Sequence, residues 1–529
     1  MAARTDREVK KQSQGYLFGV VILSLSAIAV KLIGLFYKIP MLKLLGSEGM
    51  GYFNSAYELY ALFCVISTSG IPVAMSVMIS TSSSDKVAGA LRVLKIAAKA
   101  LFLIGIVCSA AMFGLAYPFS KLLGEEKCVY ALLAISPGLL FACLTGAYRG
   151  YFQGLSRMAP TAVSQLIEAV CKLIFGLLLV YLALRAGFRT EMIAAAAALG
   201  LVIGSVLSTM FLFIMKKRTV ETPERVCYSE KSILKTLFKT SAPITLSAAA
   251  LSFTKLIDMT MIIRRLQSAG YTSEEAFSVY GSYTTLAVPL FALAPALIGS
   301  VAQPLIPRLG DAIASGDCEG QTSATNDAVR LASIISMPIS LGLSLFSKEI
   351  LELLFKGQNA EIVLCAPLLA MLGMSVTLSC LVTVGNSILH AYGRARIPMI
   401  AMLIGSVVKI ITSYVLIGNS GIGIAGAPIS TFLCDFVINA INAYYISKCL
   451  PSGIAVGKVL VRPFAASVLS VAIAKIIYGI FAARFGEGNA LTLSFIGLAA
   501  MIYLPTCLLL GVVKIDDIPI IKKKKQPAK

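Results

Sequence analysis

Long apolar runs alternate with short polar breaks along nearly the whole chain. A helix needs roughly 20 apolar residues to cross about 30 Å of hydrocarbon. Fourteen runs approach or exceed that length: 16–37, 53–79, 93–116, 128–148, 160–184, 192–215, 240–263, 276–302, 325–347, 362–389, 398–416, 423–446, 463–481 and 491–513. The pattern predicts an all-α polytopic membrane protein with 14 transmembrane helices. The polar breaks are too short to hold a soluble domain, so recognition has to occur within the membrane. The first run follows Arg4, Arg7, Lys10 and Lys11, as a signal peptide's would. It is too long for such a peptide and lacks a clear small-residue cleavage site, so a retained first helix is expected.

Composition agrees. Of the 529 residues, 57% are hydrophobic and 14% charged, against roughly 45–50% and about 25% in soluble domains. This excludes a soluble enzyme, a disordered tail and a fibrous repeat. The net charge of +20 would suggest nucleic acid in a soluble protein. In a polytopic one it reflects the positive-inside bias, and no nucleic-acid partner is expected. With the N-terminus inside, the cytoplasmic segments hold 27 Lys and Arg and the opposite loops 11. The expectation is a multi-pass protein of the plasma membrane with both termini cytoplasmic. Lys522–Lys525 would then lie near anionic lipid. The 12 cysteines show no C-x-x-C, and there is one histidine, His390. Neither a disulfide framework, a metal site nor a cofactor is expected.

An internal repeat is visible. Gln153-Gly154-Leu155-Ser156-Arg157, then Pro160 and Lys172, enter span five; His390-Ala391-Tyr392-Gly393, then Arg396, Pro398 and Lys409, enter span eleven. Proline to lysine is 12 residues in the first and 11 in the second. Leu25-Ser26-Ala27 with Lys31 and Leu246-Ser247-Ala248 with Lys255 match spans one and seven. Members of each pair cross in the same direction, so the repeat is parallel, about an axis along the membrane normal. The expected organisation is an N-terminal lobe (1–215), a cytoplasmic linker (216–239), a C-terminal lobe (240–446), and a helix pair with a basic tail (447–529). Two such lobes would face each other across a central cavity and transport by rocking; a duplication without transport is the alternative.

Charges within apolar spans cost about 2.5–3.5 kcal/mol or more each, so they face cavities or partners. The deep set is Lys31, Lys172, Lys255, Lys409 and Lys475, with Glu58, Glu168, Asp258 and Asp435. Four of the lysines fall on the duplicated helices. Their complement is an anion such as phosphate, which lysine binds as a point charge. Glu168–Lys172 at i,i+4 and Lys255–Asp258 at i,i+3 are spaced to neutralise themselves instead. Asp258 and Asp435 are candidate ion-coupling residues, and Glu58 is placed to pair with Lys31 or Lys38. Lys475 lies outside the repeat and is expected to be structural. Lys95 and Lys99 are expected to snorkel. Gly70-Ile71-Pro72, Pro289, Pro295, Pro338 and Pro367 mark kinks or hinges.

Lys31-Leu32-Ile33-Gly34 through Lys43-Leu44-Leu45-Gly46, the motif Ser69-Gly70-Ile71-Pro72-Val73-Ala74, and the Gly-x-x-Arg/Pro pattern before spans five and eleven resemble the polysaccharide-biosynthesis branch of the MOP exporters. Within it the chain is most similar to the stage V sporulation protein B group, relatives of the lipid II flippases. The resemblance runs over essentially the whole chain. It implies two six-helix lobes plus a terminal helix pair. It also implies movement of a lipid-linked oligosaccharide, a peptidoglycan precursor carried on undecaprenyl pyrophosphate, from the inner to the outer leaflet, with cell-wall synthesis proteins and membrane lipids as partners. The family's cationic positions on the first helix fall at Lys31 and near Lys38, while one family arginine aligns with Tyr37. Asp258 suits the family's ion site on helix seven, but span eleven carries no carboxylate, so sodium coupling is not supported.

Two rival classes fit the sequence less well. A multidrug antiporter of the same superfamily exports organic cations and calls for an acidic cavity, whereas the matched residues are lysines. A membrane-embedded glycosyltransferase calls for a catalytic carboxylate or histidine cluster on a sizeable polar loop. Asp516-Asp517, on the tail beside Lys514, is a poor candidate for one. No enzymatic activity is expected.

Overall fold

The structure is a computed structural model that describes residues 2–80, 86–217, 230–302, 305–450, 453, 455–486 and 488–512. Residues 218–229 of the expected 216–239 linker, Asp516-Asp517 and Lys522–Lys525 lie outside the described residues. Within them the chain is helical and contains no strand.

Helix α1 runs from Ala2 to Thr68 and bends at Gly46, whose φ of 70° and ψ of 175° lie outside helical space. That backbone conformation is essentially restricted to glycine. After Ser69-Gly70 the chain resumes as α2 (Ile71–Ser80). There follow α3 (Lys86–Leu123), α4 (Val129–Ile135), α5 (Gly138–Gly154), α6 (Met158–Arg185), α7 (Thr190–Lys217), α8 (Glu230–Ser268) and α9 (Ser273–Ser282). A π-helical turn, Tyr283–Ala287, leads into α10 (Val288–Ala302). The remaining helices are α11 (Leu305–Ala314), α12 (Cys318–Leu345), α13 (Ser347–Leu354), α14 (Asn359–Ala391), α15 (Arg396–Ile417), α16 (Gly426–Cys449), α17 (Arg462–Phe485) and α18 (Asn489–Leu509).

Among the described residues, 12 helical stretches are long and apolar enough to cross a membrane. The expected count of 14 is therefore not established, for two reasons. The first stretch, Leu25–Ile79, has 55 residues, about 80 Å of helix, so the first two apolar runs share it on either side of Gly46. The seventh run lies on α8, which is not among the 12, and several of that run's side chains lie outside the described residues.

Backbone contacts divide the chain into two compact units, Met1–Gly281 and Ser282–Lys529. In the first, α2, α3, α5, α7 and α8 share a core that includes Met75, Leu101, Tyr151, Phe152, Leu212 and Ile233. α6 and α7 pack closely because glycines face each other. A Cβ on Gly200 would lie 2.3 Å from the Cα of Gly176. Small residues at such contacts let helices approach where no hydrophobic drive exists between them and lipid. Outward faces such as Leu103, Ile106 and Val107 on α3 are exposed and apolar.

In the second unit α12, α14, α15 and α16 pack on one another, and α17 pairs with α18. Lys475 on α17 meets Glu349 on α13 at 2.5 Å and lies 4.7 Å from the ring centre of Phe346. Its expected structural role thus has a specific partner.

The repeat has a structural signature at two helix ends. After α5, the N–H of Ser156 donates to Gln153 O at 2.9 Å and that of Arg157 to Phe152 O at 2.8 Å. After α14, the N–H of Gly393 donates to His390 O at 3.0 Å and that of Arg394 to Leu389 O at 2.9 Å. Both ends are the same left-handed C-terminal cap.

Candidate functional site

In the first unit, α1, α2, α5, α6 and α7 enclose a cavity of about 700 Å3. Its wall carries Lys31, Arg149, Lys172 and Glu168, with the amides of Gln153 and Gln165 and the rings of Tyr37, Tyr57 and Tyr60. Glu168 is the one carboxylate in that wall among the described residues. Local sequence explains the shape. The break at Ser69-Gly70 turns Pro72 into the wall, and Gly150 on α5 lies so close that an added Cβ would be 2.6 Å from Pro72 O. Ser26 on α1 donates to Gln165 on α6 at 3.2 Å, tying the two helices near Lys31.

Lys172 and Glu168 lie one turn apart on α6 but have different partners. The Lys172 ammonium sits 4.9 Å from the ring centre of Tyr57, 5.2 Å from Tyr37 and 5.7 Å from Phe53. These rings come from both sides of the Gly46 bend. A cation over aromatic faces is stabilised by about 0.5–2 kcal/mol per contact. Glu168 accepts from Arg149 Nη2 at 2.8 Å and from Ser205 at 3.4 Å. Arg149 also donates to Ser164 at 2.9 Å and to Ser208 at 3.3 Å. The arginine and glutamate therefore form a hydrogen-bonded pair, and Lys172 is held in an aromatic cage.

Of the other expected residues, four lie in the first unit outside that wall and two in the second. Lys38 and Glu58 lie on α1 within electrostatic reach of each other, and Lys38 also of Lys172. Lys255 is exposed on α8 within electrostatic reach of Lys31, and Asp258 is half-buried one turn on. In the second unit, Lys409 on α15 lies within reach of Asp435 on α16, and the Ser379 hydroxyl donates to the Asp435 carboxylate. Among the described residues no group of three or more His, Cys, Asp or Glu could hold a metal.

Arg149 is the cavity residue that sequence reasoning missed. The fourth apolar run stops at 148, so Arg149 counted as a loop charge, whereas α5 continues to Gly154. A helix-period reading from Thr145 through Arg149 to Gln153 carries the signal.

A family model described as polysaccharide biosynthesis protein matches residues 17–312. The chain belongs to this family. A second model, MatE, matches residues 243–415. Stage V sporulation protein B of Bacillus subtilis (strain 168) is 25% identical over 524 residues, covering 96% of this chain and 98% of the relative. The lipid II flippase MurJ of the same strain is 24% identical over 466 residues, covering 83% of this chain and 85% of MurJ. Among solved structures, lipid II flippase MurJ in an inward closed conformation superposes with a TM-score of 0.71 at 16% identity, covering 92% of this chain and 98% of that one. An inward-facing multidrug resistance MATE transporter of the MOP superfamily gives 0.62 at 14% identity, covering 80% and 98%. At these identities the structural likeness shows the fold alone. The chain is thus a multi-pass, all-helical membrane protein of the polysaccharide-biosynthesis family, with a fold shared by MurJ and a MATE transporter.

Proposed function

We propose that the protein is a flippase that moves a lipid-linked oligosaccharide, a peptidoglycan precursor on undecaprenyl pyrophosphate, from the inner to the outer leaflet of the plasma membrane. The observation that carries this reading is the cavity of the first unit. It holds three cations, Lys31, Lys172 and Arg149, against one carboxylate, and that carboxylate is taken by Arg149. Two positive charges are left to meet a pyrophosphate, while the glutamines and tyrosines suit sugar hydroxyls. The names of the relatives support the substrate class: MurJ is a lipid II flippase, and stage V sporulation protein B belongs to spore formation.

In this reading Lys38, Lys255 and Lys409 extend the cationic surface, and Asp258, Asp435 and Glu58 are its ion-coupling candidates. The lobes 1–215 and 240–446 alternate in access about a cytoplasmic linker, with 447–529 as the terminal pair and both termini cytoplasmic. Cell-wall synthesis proteins are its partners. An inside-negative potential favours exit of the anion by about 2.3 kcal/mol per charge per 100 mV. The relatives are flippases and transporters, which supports a non-enzymatic protein. A second reading, export of organic cations, is favoured by the MatE match and the MATE neighbours. A cavity with excess positive charge opposes it.

The test is complementation of a flippase-deficient strain, measuring lipid II on each leaflet. Expression of the protein should restore outer-leaflet lipid II, and Lys31→Gln or Lys172→Gln should abolish the rescue at normal expression. Unchanged outer-leaflet lipid II would refute the substrate; full activity of both variants would refute the cavity.

A further inference from the structure

A second cavity in the first unit, of about 880 Å3, opens between α3, α5, α7 and α8, away from the wall that holds Lys31 and Lys172. Its lining includes Arg92, Lys95 and Lys99 on α3 and Lys216 on α7, with Glu230 as the one carboxylate among the described residues. The α3 cations fall at i, i+3 and i+7, on one face, and span about 10 Å along the helix. Beside them Tyr148 and Phe213 pack edge to face with ring centres 6.3 Å apart. Lys217 lies over Phe213 at 4.8 Å. Lys95 and Lys99 are exposed and have no ion-pair partner among the described residues.

These residues belong to the N-terminal ends of α3 and α8 and the C-terminal ends of α5 and α7. In helices that cross in alternation, those four ends lie on one side of the membrane. The groove is therefore a basic recess at one membrane–water boundary, with cations set at descending depth. Snorkelling explains a single lysine at such a place. It does not explain why Lys95 and Lys99 open together into one cavity beside an aromatic wall. A ligand with a phosphate at its head and a hydrocarbon tail satisfies both surfaces.

We infer that this groove is a binding site for an anionic phospholipid of the bilayer, whose phosphate lies against Lys95 and Lys99 and whose acyl chains lie along the aromatic and apolar wall. The site is separate from the proposed transport cavity and does not depend on the transported substrate. The bound lipid ties α3 to α7 and α8 at the membrane surface, where basic recesses between spans take up anionic headgroups.

The experiment uses the full chain in phosphatidylcholine nanodiscs, titrated with phosphatidylglycerol, with undecaprenyl pyrophosphate and with inorganic phosphate, and reads bound lipid by native mass spectrometry. Phosphatidylglycerol should be retained, and Lys95→Gln/Lys99→Gln should weaken that retention about tenfold or more. Lys95→Arg/Lys99→Arg should keep it, which separates loss of charge from loss of folding. Equal retention by the Gln and unsubstituted proteins would overturn the inference. So would a Gln variant that loses only undecaprenyl pyrophosphate, which would give the groove to the substrate. Saturation of the groove by inorganic phosphate alone would overturn it as well.

Discussion

Ser156 and Gly393 hold the same left-handed position at the ends of α5 and α14, with φ of 59° and 70°. From each, the cavity-facing Lys172 or its repeat partner Lys409 follows after 16 residues. The extra residue between Pro160 and Lys172 on α6 is therefore offset by a turn one residue longer before α15. Ser156 is the one described non-glycine residue with positive φ, and a side chain costs about 1–2 kcal/mol there.

Ser156→Gly should relieve part of that strain. The gain is reduced by the extra freedom of glycine in the unfolded chain, about 0.4–1 kcal/mol. A net stabilisation of about 0.5–1 kcal/mol is expected, seen as a small rise in the thermal midpoint of detergent-purified protein. Gly393→Ala should lower the midpoint. A fall with Ser156→Gly would show that its hydroxyl, and not its backbone, fixes the turn.

Arg149 and Glu168 are partly shielded, with side chains 21% and 33% exposed. Removing one partner leaves a charge without its complement among groups placed to receive it. Fully buried pairs lose about 3–5 kcal/mol on such truncation; the exposure here reduces that to about 1–3 kcal/mol. Arg149→Gln and Glu168→Gln should each destabilise the protein, and the double variant by less than the two together. Additive losses in a thermal double-mutant cycle would mean that the pair is not coupled.

Much of the fold was legible because hydrocarbon imposes length: runs near 20 residues became helices, with boundaries off by a few positions. Those few positions hid Arg149. Pairing across the chain was not legible. Glu168 at i,i+4 from Lys172 reads as its partner, yet the arginine 19 residues earlier takes it. Glu349 and Lys475 are 126 residues apart, and no periodicity connects them. Gly46 was quoted in a motif, but its bend depends on a backbone angle that composition does not encode.

Helix contact in the first unit makes a sharp contrast between two glycines near the cavity. Gly200 faces the backbone of Gly176 with no room for a methyl group, while nothing lies within 4 Å of a Cβ on Gly34. Gly200→Ala should separate α6 from α7, with a loss of about 1–3 kcal/mol from overpacking and reduced expression. Gly34→Ala should be neutral or stabilising by up to about 1 kcal/mol through helix propensity. Equal behaviour of the two variants in thermal unfolding would contradict the close α6–α7 contact.

The Lys475–Glu349 pair offers a test in which stability and transport should part. Glu349 is nearly buried, its side chain 10% exposed, and Lys475 is 33% exposed, so a lone glutamate left on α13 would be costly. Lys475→Met should therefore destabilise the protein by about 2–4 kcal/mol. Restoring an apolar contact with Lys475→Met/Glu349→Leu should recover most of that loss, because a buried ion pair and a well-packed apolar pair of similar volume differ little. Phe346 and Tyr478, which now lie against the ammonium at 4.7 and 5.4 Å, would pack on the methionine. Lipid II export by the double variant should match the unsubstituted protein. Export lost in the double variant despite a restored thermal midpoint would assign Lys475 a part in transport and remove it from the structural class.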